Sequence, residues 1–280
     1  MDTNTPDDKN PTIQTSAGAP YLDGSDALLF RMGELGSVMD ASWELLKENR
    51  FPPFSSVTAT SQTAGRGRFG RTWASPPGNI YASLRLPDGP PYVGTLASVA
   101  LAYELSVALE ALLGVRTLVK WPNDLLLDGA KVGGILLEGR MGAVIAGVGI
   151  NTGAPPDALA IGERPEGAPP AGSIPGSGVD PAVLWLGIAK SLYISYSVTS
   201  GQAACRHEPD LAWAASYAKK AQGRLFALGG KVTLLNARAE GLDEPLGRLE
   251  GSLEGLSPSG SLLLQTPQGL RAVNSGTLLA

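Results

Sequence analysis

The stretch that most constrains the fold covers residues 115–151, which show the pattern of four short strands separated by tight turns. The first strand ends at the turn Pro122-Asn123-Asp124, and the next two are separated by Asp128-Gly129, a dipeptide typical of two-residue hairpin turns. A second turn at residues 139–142 leads into a returning strand. Four consecutive strands favour a mostly antiparallel or mixed sheet over a doubly wound parallel one.

Helical patterns lie on both sides of this stretch. Ser37 and Asp40 have the spacing of a capping box ahead of an apolar helix. A long apolar helix is closed by Gly114, and another begins at Pro181. We therefore predict an α+β domain over residues 26–221.

The two ends of the chain differ from this domain. Residues 1–25 are polar, acidic and proline-bearing, without a secretion signal, and predict a disordered tail. Residues 222–280 alternate in short strands with Gly, Pro and Ser turns, which predicts a small all-β barrel. Residues 153–179, rich in Pro, Gly and Ala, are expected to form a long surface loop.

Composition excludes several classes of function. A net charge of -4 argues against a general nucleic-acid binder. No uninterrupted run of about 18 apolar residues occurs, so no membrane span or membrane partner is expected. The single cysteine, Cys205, and the single histidine, His207, exclude an internal disulfide and a Cys- or His-rich metal cluster. These features predict a cytoplasmic protein.

The segment QTAGRGRFGR, residues 62–71, is the strongest local basic feature of this acidic chain. Glycines after a strand can present backbone N–H groups to an anion, and arginines add planar forks that match phosphate or carboxylate oxygens. Three arginines in one loop repel one another until an anion binds. The pattern predicts a loop that closes on a phosphate-bearing ligand; a solvated basic turn or an RNA contact are the alternatives.

A second candidate site surrounds the proline turn. Lys120, Asn123 and Asp124 flank Pro122, and the predicted hairpin brings Lys131 back alongside them. A lysine there can neutralise charge on a phosphate, and an aspartate can orient or deprotonate an attacking amine. By spacing alone, an ordinary hairpin with surface lysines is the favoured alternative.

Taken together, the segments QTAGRGRFGRTW, KWPNDLLL, KVGGILLE and GVGIN resemble the biotin protein ligases in order and separation. The resemblance extends over about residues 30–280 and includes the last domain, with SPSGSLLL and SGTL. It implies a central mixed sheet flanked by helices, of the class II synthetase type, followed by an SH3-like barrel. It also implies an enzyme that uses ATP and Mg²⁺ to convert biotin into biotinyl-5′-AMP. The biotin then passes to one lysine of a biotin carboxyl carrier protein.

The resemblance implies a set of residues that contact biotin or ATP: Ser37, Val38, Gln62, Gly65, Arg66, Gly67, Arg68, Arg71, Trp73, Asn123, Lys131, Gly147, Gly149 and Asn151. Ser37 and Gln62 would bind the biotin head group. The backbone at Arg66 and Gly67, with the Arg68 side chain, would close over the acid and its phosphate.

The resemblance assigns the other roles around the phosphates. Arg71 would contact the ATP phosphates, and Trp73 would pack near the adenine. Asn123 would help place the triphosphate and its metal, with Asn151 near the nucleotide. Lys131 would bridge the biotin carboxylate and the α-phosphate. Asp124, with Lys120 nearby, would orient the carrier lysine or accept its proton. Arg68, Lys131, Asp124 and Lys120 are thus the implied catalytic residues.

The chain departs from the family pattern at two places. The family commonly has a Ser-Thr-Asn-like run before the first helix, whereas Val38 and Met39 stand here and offer no side-chain hydroxyl or amide. The polar residues before the catalytic part also do not resemble a DNA-binding domain, so no DNA partner is expected. A homodimer is left open. The alternatives are a lipoate or octanoate ligase or transferase, a biotin-binding regulator, and an RNA-contacting module.

Overall fold

The computed structural model describes residues 14–15, 21–92, 94–155, 167–175, 178–204, 211–241 and 246–280. Cys205, His207, most of the predicted tail and part of the loop predicted over residues 153–179 lie outside these ranges.

The larger domain is built on one mixed sheet. Its strands are β1 (Gln14–Thr15), β2 (Leu29–Leu35), β3 (Ser56–Gln62), β4 (Ile80–Arg85), β5 (Leu118–Lys120), β6 (Asp124–Leu127), β7 (Ala130–Arg140) and β8 (Ala143–Ile150). Their spatial order is β1-β2-β3-β4-β8-β7-β6-β5. Strands β2 and β3 pair in parallel, and the other neighbours are antiparallel. The predicted mixed sheet is therefore confirmed.

The hairpin turns follow the sequence signals. Asp128 and Gly129 connect β6 to β7 with φ of 50° and 78°, and Met141 and Gly142 connect β7 to β8 with 52° and 71°. Two positive-φ residues in succession match the twist of the flanking strands. These tight connections fix which residues of β6, β7 and β8 share a face.

Four helices complete the larger domain in the described part of the chain: α1 (Val38–Lys47), α2 (Leu96–Leu113), α3 (Pro181–Ala204) and α4 (Leu211–Gln222). Helix α2 packs against α3 and the sheet, and its side chains form much of the largest core cluster. By length and composition α2 is apolar enough to cross a membrane, the one such helix among the described residues. Its burial here accounts for that composition.

The last four strands close into a small antiparallel barrel. They are β9 (Lys231–Ala239), β10 (Gly247–Leu256), β11 (Leu262–Thr266) and β12 (Gly269–Leu279), in the order β10-β11-β12-β9. The barrel core includes Leu234, Leu253 and Leu264, and it is continuous with Trp121 and Ala218 of the larger domain. The predicted small barrel is confirmed, and it is packed against the domain that precedes it.

The folded domain begins before residue 26, where the predicted tail would have ended. Gln14 and Thr15 pair with β2, and Leu22 is 2% exposed within the main core. The polar composition of the first 25 residues concealed the contributions of Tyr21 and Leu22 to the core. The tail prediction is therefore wrong for residues 21–25, which pack against the sheet and helices.

Candidate active site

A cavity of about 220 Å³ lies between the arginine loop, one face of β7 and β8, the proline turn and the end of β12. Its walls include nearly all of the residues that the sequence singled out: Ser37, Val38, Gln62, Arg66, Gly67, Arg68, Arg71, Trp73, Lys120, Asn123, Asp124, Lys131, Gly147, Gly149 and Asn151. Gly65 is not among the lining residues; its carbonyl accepts the N–H of Trp73 at 2.9 Å. Residues more than 100 positions apart thus meet at one site.

Glycines on the sheet make room for an aromatic side chain. Gly134 and Gly149 are paired across β7 and β8. A Cβ on Gly149 would lie 2.5 Å from the Trp73 indole, and one on Gly134 would lie 2.9 Å from it. Because such contacts are too short for any side chain, the Trp73 ring requires glycine at both positions.

The arginine loop is an ordered hairpin-like flap. The Gly67 N–H donates to the Arg71 carbonyl at 2.7 Å, and Arg66 and Thr72 form an isolated β-bridge. Residues 68–70 make a single 3-10 turn, in which Phe69 adopts φ of 59° and is exposed. Backbone hydrogen bonds therefore shape the loop despite its glycines.

The three arginines of the flap point to different partners. Arg66 forms a bidentate pair with Asp40 at 2.7 and 2.8 Å and reaches Glu138 at 3.4 Å. Arg68 donates to Asn123 Oδ1 at 3.1 Å, and burial lowers the pKa of its guanidinium. Arg71 is exposed at the rim. The expected mutual repulsion is reduced because Arg66 is neutralised by its own carboxylates.

A lysine–aspartate pair forms another part of the cavity wall. Lys131 Nζ lies 2.7 Å from Asp124 Oδ1 and 5.2 Å from the centroid of the Trp73 ring. The β6–β7 hairpin produces this approach, as its pattern predicted, with a register shift next to Lys131. The pair places one positive and one negative group within the cavity.

Lys120 brings a second ammonium group to this wall. The residue is 6% exposed, and its ammonium forms no ion pair within the described ranges. Burial is the main cause that lowers its pKa; Asp124 opposes that effect, and Lys131, Arg71 and Arg68 add to it. Burying a charge without a close partner is unfavourable. An anion entering the cavity would therefore stabilise the charged form of Lys120.

Two buried polar atoms at the site have no hydrogen-bond partner among the described residues, the Trp73 indole N–H and Asn151 Oδ1. Asn151 Nδ2 donates to the Gly172 carbonyl at 2.7 Å, which fixes the orientation of its amide. Buried groups of this kind are rarely left unpaired in proteins. One donor and one acceptor at the site thus lack a protein partner.

The deep end of the cavity surrounds the start of α1. Ser37 Oγ accepts the Met39 N–H at 3.3 Å, so it caps the helix as predicted, whereas Asp40, the other residue of the expected capping box, pairs with Arg66. Gln62 Oε1 accepts the Val38 N–H at 3.0 Å, and its Nε2 donates to Ser75 Oγ at 3.0 Å. Val38 and Met39 are buried and add apolar surface. This end suits a compact, mostly apolar group with a few polar atoms.

Two further parts of the cavity wall were not predicted from the sequence. Ala168, Pro169 and Ala171 line the cavity, with the segment docked on the start of β7 through a bridge between Lys131 and Ala171. The barrel also contributes the segment Gly276–Leu279. Small apolar residues carry no sequence pattern that marks a ligand site. The approach of the barrel to the cavity depends on how the two domains pack. Asp40 and Glu138 were missed as well, although the expected arginine repulsion could have suggested nearby acids.

The mixed sheet, the small barrel and a cavity rich in phosphate-binding side chains define a ligase of the biotin and lipoate class. A sequence model of the biotin/lipoate A/B protein ligase family matches residues 35–154. A biotin--[acetyl-CoA-carboxylase] ligase of Paracoccus denitrificans is 35% identical over 233 residues, which covers 78% of this chain and 86% of that protein. The chain therefore belongs to the biotin protein ligase family.

Further relatives agree with this assignment. The biotin protein ligase of Aquifex aeolicus, solved in complex with biotin and ATP, superposes with a TM-score of 0.66 at 27% identity, covering 89% of this chain and 97% of that one. The bifunctional ligase/repressor BirA of Escherichia coli is 42% identical over 141 residues, which is 47% of this chain and 39% of that protein.

Proposed function

We propose that this chain is an ATP-dependent ligase that activates biotin as biotinyl-5′-AMP and transfers it to one lysine of a biotin carboxyl carrier protein. The observation that carries the proposal is the meeting of Arg68, Lys131, Asp124 and Lys120 around one cavity beneath a glycine–arginine flap. Membership of the biotin protein ligase family and similarity to a ligase solved with biotin and ATP support the choice of substrates.

In the first step a biotin carboxylate oxygen attacks the α-phosphorus of ATP, an O–P bond forms, and pyrophosphate leaves with the electron pair. The reaction brings two anions together, so fixed cations supply most of the catalysis. Lys131 and Arg68 both line the cavity and are suited to bridge the carboxylate and the α-phosphate. A carboxylate is already a nucleophile, so this step needs no histidine or cysteine.

The deep end of the cavity is the proposed pocket for the biotin head group. Its polar contacts would come from Ser37 and Gln62, which are held by hydrogen bonds to the start of α1 and to Ser75. Val38 and Met39 offer only backbone polar groups and apolar surface. Binding of the head group would therefore depend more on shape complementarity and backbone hydrogen bonds here than in relatives with a hydroxyl at residue 38.

The nucleotide is proposed to pack against the Trp73 ring, which itself covers Gly149 as Met39 covers Gly147, with Arg71 at the rim and Asn151 Oδ1 free to accept a hydrogen bond. The described residues hold no cluster of three acidic, His or Cys side chains able to cage a metal. Mg²⁺ would instead be carried by the triphosphate, because it commonly keeps waters and phosphate oxygens as ligands. Asn123 would lie near this ion. Mg²⁺ would offset charge on the departing pyrophosphate.

In the second step the carrier amine attacks the acyl carbon of the adenylate, a C–N bond forms, and AMP leaves as the C–O bond breaks. The incoming lysine must first lose a proton. Asp124 is suited to orient that amine and accept its proton, and Lys120, whose pKa burial lowers, lies next to Asp124. The flap, as predicted, would keep water from the reactive anhydride until the carrier arrives.

Radiolabelled biotin, ATP and a purified carrier domain test this proposal directly. We expect label on the carrier that requires ATP and is abolished when the target lysine is replaced with arginine. Lipoic or octanoic acid, tested in parallel, should not be transferred. Label from lipoate in preference to biotin, or no ATP-dependent label at all, would contradict the proposal. A cytoplasmic location, the absence of a DNA partner and a homodimer remain predictions.

A further inference from the structure

The loop between β10 and β11, Ser257–Ser261, leaves the barrel and lies directly on the larger domain. Gly260 has φ of 85°, and a Cβ on it would lie 2.6 Å from the Leu96 Cα at the start of α2. The Thr95 hydroxyl donates to the Ser259 carbonyl at 2.5 Å. Backbone therefore meets backbone here, an approach that a side chain on Gly260 would prevent.

The same loop holds the tryptophan next to the catalytic turn. The Trp121 indole N–H donates to the Gly260 carbonyl at 3.1 Å, and Trp121 is 2% exposed within the core cluster of the barrel. Lys120 precedes this residue, and Asn123 and Asp124 follow within three positions. The turn is held from a second side because Ser98 Oγ donates to the Pro122 carbonyl at 2.9 Å.

The loop is itself braced by a carboxylate. Glu240 Oε1 accepts the Ser259 hydroxyl at 2.6 Å and the Ser261 hydroxyl at 2.5 Å. The Ser257 N–H donates to the Ser261 carbonyl at 2.8 Å. Hydrogen bonds to an ionised group are stronger than those between neutral groups. The Gly260 carbonyl is thereby presented to the indole from a rigid support.

From this continuous set of contacts we propose that the barrel positions the catalytic turn. Glu240, Gly260, Thr95 and Trp121 act as positioning residues for Lys120, Asn123 and Asp124. The inference rests on the proposed biotin transfer and adds to it a role for the barrel beyond lining the cavity. Its physical basis is that displacing a reacting group by about 1 Å costs on the order of 10²-fold in rate.

Steady-state transfer to the carrier domain tests this role, with kcat and the KM for biotin measured separately. Gly260→Ala and Trp121→Phe should each lower kcat by about 10-fold or more, since the turn that carries Asp124 is displaced. The KM for biotin should stay within about twofold, since the deep pocket is built on α1 and β3. The matched control is Thr266→Ala, which removes buried hydrogen bonds at the other end of β11 from the Ser257–Ser261 loop and should keep kcat while lowering the melting temperature.

Two pairs of substitutions, each with a disruptive and a conservative change at one residue, keep the test valid if another variant fails to fold. Thr95→Val should lower kcat, whereas Thr95→Ser, which keeps the hydroxyl, should restore it. Glu240→Ala should likewise lower kcat, and Glu240→Gln should retain part of it because an amide oxygen still accepts hydrogen bonds.

Unchanged kcat in the variants of Gly260, Trp121, Thr95 and Glu240 would overturn the inference, as would an equal loss in Thr266→Ala. Failure of the proposed function would look different, because the wild-type chain itself would not label the carrier.

Discussion

The Asp124 carboxylate lies 2.7 Å from the Lys131 ammonium, in the cavity that the arginine flap also lines. The two side chains belong to neighbouring strands, so a single hairpin supplies both. In the proposed reaction they serve different steps, Lys131 the formation of the adenylate and Asp124 its consumption. Their proximity connects the two steps, because the phosphate that binds Lys131 also places the acyl carbon near Asp124.

Substitutions at this pair should separate the two half-reactions. Lys131→Ala should lower adenylate formation by about 10²–10³-fold, because a fixed cation at the developing charge is removed. Asp124→Asn should largely retain adenylate formation but slow transfer by about 10²-fold, the usual contribution of a positioned acid or base. Pyrophosphate release and carrier labelling measure the two steps. The exposed pair Lys47 and Glu44 supplies control variants without effect; equal losses in both steps for Asp124→Asn would contradict this division.

Arg68 should determine how well the adenylate is retained. Its guanidinium is partly buried and bonds Asn123 across the cavity, so Arg68→Gly removes both a cation and a contact that closes the flap. We expect faster release of biotinyl-5′-AMP, measured as label on bystander proteins mixed with the enzyme. The control Arg248→Gly removes an exposed arginine of the barrel. Adenylate retention equal to that of the wild type would contradict the proposed closing role.

The Asp40–Arg66 pair should act as a latch for the same flap. Asp40→Asn removes the bidentate charge pair while Glu138 remains. Because exposed pairs contribute only about 0–1 kcal/mol to folding, the melting temperature should hardly change. Adenylate release should nevertheless rise several-fold, because a small increase in the fraction of molecules with an open flap is enough to release more adenylate. Glu44→Gln, on the same helix and equally exposed, is the matched control, and a rise in release there too would exclude a specific latch.

The glycine platform under Trp73 offers a steric test. Gly149→Ala places a Cβ about 2.5 Å from the indole, so the ring must move. We expect a rise in the KM for ATP with a smaller change in the KM for biotin. Gly139→Ala is the matched control, because it lies on the neighbouring strand with no atom within 4 Å of the added methyl group. If both variants keep the wild-type KM for ATP, Trp73 does not pack against the nucleotide.

Local sequence signals predicted much of this structure, and contacts between distant segments account for what they missed. Asp128-Gly129 and Gly114 fixed a hairpin and a helix end because their backbone conformations are decided locally. The approach of Lys131 to Asp124 followed from that hairpin. In contrast, Leu22 is buried only because the assembled core accepts it, and Gly276–Leu279 reach the cavity only because the barrel packs on α2 and α4. The partners of Arg66 come from α1 and β7, which no local pattern joins.

Lys120 is expected to support biotin transfer while lowering the stability of the folded protein. Burial lowers its pKa in the folded protein, so between that value and the ordinary 10.5 the unfolded chain binds more protons. The cost to folding is therefore fully present at pH values below the lowered pKa and disappears as the pH rises through 10.5. Lys120→Met should raise the free energy of unfolding at pH 7, with a gain that shrinks toward pH 10.5, and should slow biotin transfer. Urea unfolding across this pH range measures the effect, with Lys47→Met as the exposed control. A destabilised Lys120→Met protein at pH 7 would show that the ammonium is favourably paired in the folded state.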